Sequence, residues 1–90
     1  MNEQERVTRA RRTQEILEDP VMLEALQAID ATYWTEWRGS PVRDHDAREK
    51  IYQRLKALDD VLGHLKTFLE DGKLAQQQID KAASGKRSFF

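Results

Sequence analysis

The chain has 90 residues, the size of one small domain, and no cysteine, which excludes a disulfide framework and any thiolate metal site. Charged residues make up 34% of it, yet the net charge is only −1, so nothing drives the chain as a whole towards nucleic acid or anionic lipid. Four Gly, two Pro and few β-branched residues point to an all-α protein.

Residues 3–18 are rich in helix formers, with sparse apolar anchors at Val7, Ala10, Ile16 and Leu17. A helix here needs a packing partner, because short helices gain most of their stability from one. Arg6, Arg9, Arg11 and Arg12 give it a basic bias. No apolar core of a secretory signal follows the initial charges.

Asp19-Pro20 predicts a boundary. Proline disrupts a preceding helical turn but suits the first position of a new helix, and Asp is a good N-cap. A second helix is therefore expected over 20–37. Met22, Leu26, Ile29, Tyr33 and Trp37 recur on one face of it, with Leu23 and Trp34 beside them. Arg38-Gly39-Ser40-Pro41 reads as a turn, with Gly39 in the left-handed conformation that ends helices. The next helix is expected to start within two residues of Asp44, where Asp46-Ala47-Arg48-Glu49 has the form of a capping box.

The segment 44–70 organises the chain. Ile51, Leu55, Leu58, Leu62, Leu65 and Leu69 follow the alternating spacing of a helix packed on another helix. Ala57, Val61, His64 and Phe68 form a second stripe next to it. A helix apolar over two adjacent stripes touches two partners. Helix 20–37 is the natural first partner, since a short connection makes successive helices antiparallel neighbours. It is too short to cover the whole face. The rest must fall to the flanking segments, to a second copy of the chain or to another protein. Glu70-Asp71-Gly72-Lys73 reads as a helix end with Gly72 at its C-terminal side. Acids in a last turn are unfavourable, which leaves passage through Gly72 as the alternative. A weaker helix over 73–83 and a loose tail over 84–90 complete the expectation.

No P-loop, dinucleotide-binding fingerprint, zinc-protease or nucleophile-elbow motif is present, so no catalytic, cofactor or metal site is expected. Asp44, His45 and Asp46 could be written as metal ligands. Adjacent residues at a helix start do not converge, however, and capping explains the acids. His64 fits the edge of a helix interface. Tyr33, Trp34 and Trp37 concentrate apolar area within five residues. Tyr33 and Trp37 fit the core stripe. Trp34 is rotated out of it, so it fills a core under the first helix or anchors a partner. Arg6, Arg9 and Arg12 share a face and could contact phosphates; the plainer reading is a solvated helix end paired with the acidic segment 15–36.

Leu17, Asp19-Pro20, Trp34 and Trp37, Asp46-Ala47-Arg48-Glu49 and the leucine repeat ending at Asp71-Gly72-Lys73 together resemble the small helical proteins of tailed-bacteriophage and prophage head-gene clusters. That resemblance implies a role in virion assembly or DNA packaging, in the host cytoplasm or the virion, and carries no functional residue over.

The expectation is thus an all-α, non-enzymatic protein. Its antiparallel hairpin, flanked by an N-terminal and a short C-terminal helix, forms a single domain and self-associates or docks on a larger assembly. Trp34, Trp37, Tyr33, Val61, His64 and Phe68 are the expected contact residues, with no membrane involved. Two alternatives stand beside it. One is a packaging or regulatory factor that contacts nucleic acid through Arg6, Arg9, Arg11 and Arg12. The other is a small inhibitor that docks its acidic helix on a host enzyme.

Overall fold

The computed structural model describes the backbone of residues 1–87 and the side chains of residues 1–84. All secondary structure among the described residues is helical: α1 (Glu3–Glu18), α2 (Pro20–Gly39) and α3 (His45–Arg87). The chain divides into two compact units. Unit 1 holds Met1–Leu17 and the part of α3 from His64 onward; unit 2 is Glu18–Gly63.

Local chemistry sets the boundaries. Asn2 and Glu5 open α1 as a reciprocal cap, with Asn2 Oδ1 accepting from Glu5 N at 2.8 Å and Glu5 Oε1 from Asn2 N at 3.4 Å. Asp19 caps α2 as the Asp-Pro pair predicts, its Oδ1 accepting from Val21 N at 2.9 Å and Met22 N at 3.0 Å. At the other end, Gly39 is the last helical residue and no glycine among the described residues has a positive φ. The expected left-handed Gly39 is thus not what ends α2. Ser40 does so instead: its backbone is extended, and its N–H and hydroxyl donate to Trp37 O at 3.2 and 2.6 Å. Asp44, rather than Asp46, caps α3, accepting from Ala47 N at 3.2 Å.

α3 departs most from expectation. It is one helix through Gly72, so the separate helix over 73–83 does not exist, and residues 84–87 of the expected loose tail are helical. The last three residues of that tail lie outside the described residues. Gly72 does not end a helix because it is a packing position. It is buried, and a Cβ placed on it would collide with the Cβ of Ala10 on α1.

In unit 1, Arg6, Ala10, Thr13 and Leu17 of α1 form the inward stripe. In the same unit Leu65, Phe68, Leu69, Gly72, Ala75 and Ile79 of α3 are buried or half-buried, and Ala75 is wholly buried. Thr13 is the one buried polar residue among those described; its hydroxyl is satisfied by donating to Arg9 O at 2.8 Å. In unit 2, the buried residues are Ile51 and Leu55. Leu26, Tyr33 and Trp37 of α2 and Leu58 of α3 are half-buried. Trp37 lies by Arg48, Glu36 by Arg54, and Ile29 and Tyr33 by Leu58 and Val61, so progress back along α2 matches progress forward along α3.

Candidate interaction surfaces

The leucine repeat is divided between two partners. Ile51, Leu55 and Leu58 lie in unit 2 with α2, and Leu65 and Leu69 in unit 1 with α1, while Leu62 near the division is exposed. Within unit 1 the flanking helix α1 is the partner of the part of α3 that begins at His64.

The second stripe is divided as well. Ala57 and Val61 line a shallow groove in unit 2 with Ile29, Tyr33, Arg54 and Leu58. Val61 is still 55% exposed. Phe68 lies in unit 1, and His64 is exposed. Of the six expected contact residues, Tyr33, Trp34, Trp37 and Val61 belong to unit 2 and His64 and Phe68 to unit 1.

The tryptophans separate sharply. Trp37 is half-buried beneath the Arg48 guanidinium, whose carbon is 4.0 Å from the ring centroid. Arg48 Nη1 also donates to Ser40 Oγ at 3.1 Å and Ser40 O at 3.4 Å. One guanidinium thus ties the end of α2 to the start of α3. Trp34 is 44% exposed. No residue of α2 is buried, although its composition is the most apolar of the three helices. Leu23 and Trp34 are exposed on the flank of the α3-facing stripe.

Arg6 and Arg9 are engaged by Asp71 within unit 1 rather than by the acidic segment 15–36 that the sequence suggested, and Arg11 meets that segment at Glu15. Arg6 grips the Asp71 carboxylate with two parallel bonds, Nε to Oδ2 at 2.9 Å and Nη2 to Oδ1 at 2.8 Å. Its Nη1 donates to Gln78 Oε1 at 3.2 Å. Arg9 Nη2 donates to Asp71 Oδ2 at 3.0 Å, and its guanidinium stacks 4.2 Å from the Phe68 ring centroid. The Arg9 Nε is buried without an acceptor among the described residues, which costs some of what the pairing contributes. Donation from Arg6 lowers the Asp71 pKa below the ordinary carboxylate value, against an opposing desolvation effect, and the charge of Arg9 adds to the lowering. The same hydrogen bond raises the Arg6 pKa. Arg11 makes a long contact with Glu15 at 4.0 Å with both ends exposed. Arg12 is exposed on the rim of an apolar groove of about 590 Å³ floored by Ile16, Leu65 and Phe68.

Sequence reasoning missed Asp71 as the hub of unit 1. Its poor fit to a helix end was the available signal. Asp44, His45 and Asp46 do not gather, and no group of three potential metal ligands is brought together among the described residues. No described helix is long and apolar enough to cross a membrane. No family model, curated protein or solved structure matches the chain.

Proposed function

We propose that the chain is a non-enzymatic interaction protein. Its α2–α3 portion is an antiparallel helical hairpin that presents an exposed flank of α2 to a further copy of itself within a larger assembly. One observation carries this reading: α2 spans 20 residues and buries none of them, while Leu23 and Trp34 face solvent at 41% and 44% exposure. A helix with that much uncovered apolar area and a central Trp has the makings of a contact surface, because Trp concentrates binding energy in interfaces. The resemblance to small proteins of phage head-gene clusters supports a particle-assembly setting, in the host cytoplasm or the virion. Nucleic-acid binding is less favoured, because Arg6 and Arg9 are held by Asp71, which leaves Arg11 and Arg12 as the outward cations.

Sedimentation velocity over a wide concentration range, at low and high salt, tests the proposal. The mass should rise with concentration and persist at high salt, since apolar burial is not screened. A folded chain that stays monomeric throughout overturns it.

A further inference from the structure

We infer that α2 pairs with α2 of a second copy in an antiparallel, two-fold arrangement along Leu23, Gln27, Asp30 and Trp34. This rests on the proposed self-association and names its surface and symmetry.

The argument begins with rotation about the helix axis. Each residue of a helix turns about 100° from the last. Leu26, Tyr33 and Trp37, the half-buried residues of α2, mark the side that faces α3. Leu23, Gln27, Asp30 and Trp34 fall on a different line, spaced four, three and four, and all are exposed. This is the seam spacing of paired helices, with its apolar residues at the two ends and its polar residues in the middle.

That order selects the direction of pairing. In a parallel pair, Asp30 would face the partner's Asp30, and burying two like charges together is costly. In an antiparallel pair centred between Gln27 and Asp30, each residue meets a complementary one. Leu23 packs on the partner's Trp34 and Trp34 on the partner's Leu23. The Gln27 amide donates to the partner's Asp30 carboxylate, and the reverse pair repeats the bond. Such a contact is isologous, so it closes at two copies. The polar middle fixes the register, because a slip would bury Asp30 against apolar surface.

The absence of cysteine permits a clean test by disulfide trapping. Leu23→Cys and Trp34→Cys variants are oxidised separately and as an equal mixture, with helicity followed by circular dichroism. The mixture should give a covalent dimer of one of each, and either variant alone should give little. Trp34→Arg should keep its helicity and weaken the wild-type dimer at least about thirtyfold. Cross-linking of each variant with itself, as efficient as in the mixture, overturns the antiparallel seam. So does a Trp34→Arg protein that still dimerises like wild type; self-association then stands but uses another surface, such as the groove floored by Ile16, Leu65 and Phe68. A wild-type chain that is monomeric at every concentration overturns both the seam and the proposed function.

Discussion

Where α1 meets α3, small residues make the contact. Ala10 lies against Gly72, Ala75 is wholly buried, and Arg6 and Arg9 close on the carboxylate of Asp71. Where α2 meets α3, branched aliphatics and aromatics make it: Ile51 and Leu55 at the centre, Trp37 under Arg48 at one end, and an exposed Glu36–Arg54 pair at 3.6 Å. The first contact brings two backbones close and fixes them by polar geometry. The second is made by large side chains and leaves apolar surface over. The least apolar helix, α1, buries Thr13, while the most apolar, α2, ends up with no buried residue. Burial follows how closely two surfaces fit, not how apolar each one is.

Four changes probe this contrast. The largest effect is expected in unit 2. Leu55→Ala removes much of its small core and should cost about 2–3 kcal/mol, visible as faster hydrogen exchange in α2 amides while α1 amides are spared. Unchanged α2 exchange would mean that α2 is held by something other than the Ile51–Leu55 core. Next is Gly72→Ala. Helix propensity alone would make it stabilising by nearly 1 kcal/mol, but the new Cβ meets Ala10, so a net loss of about 1–3 kcal/mol is expected in urea melts. Adding Ala10→Gly should recover part of the loss, because it removes the colliding atom.

Asp71→Asn should then lower the thermal midpoint by breaking the shared acceptor of two guanidiniums, with α1 amides losing protection first. The same group sets an acid limit. Its pKa is lower in the folded chain than in the unfolded one, chiefly through the Arg6 hydrogen bond. Its stabilisation is therefore fully present above the unfolded value of about 3.9, and it is lost as pH falls through the lower folded value. An acid titration of wild type should show that loss and Asp71→Asn should not. The smallest effect is a gain. Gly63 has open space around its missing Cβ and an ordinary helical φ, so Gly63→Ala should stabilise by about 0.5–1 kcal/mol. The opposite signs at Gly63 and Gly72 would isolate close packing as the cause.

The boundaries of α1 and α2 were readable because Asp19-Pro20 states its chemistry locally: an acceptor for free N–H groups followed by a residue that suits only a helix start. The seam from Ile51 to Leu69 was readable because periodicity survives without knowing the partner. The end of α3 was not. A glycine that ends a helix and a glycine that admits another helix are the same letter, and Ala10, which decides between them, lies in a different helix. The role of Asp71 was hidden for the same reason, since Arg6 and Arg9 reach it only once α1 has docked. The contrast between Trp34 and Trp37 was half legible. Rotation by 100° placed Trp34 off the core stripe, but the Arg48 stack on Trp37 depends on the turn at Ser40.

The tie made by Arg48 has an optical consequence. Trp34 is partly exposed and Trp37 lies against a guanidinium, so the two indoles occupy distinct environments within one helix. Fluorescence from a Trp37→Phe protein reports only the exposed flank of α2 and should shift to shorter wavelength as copies pair. Fluorescence from a Trp34→Phe protein reports only the loop between α2 and α3 and should stay constant with concentration. The chain thus contains, in neighbouring turns of one helix, a probe of assembly and an internal reference for it.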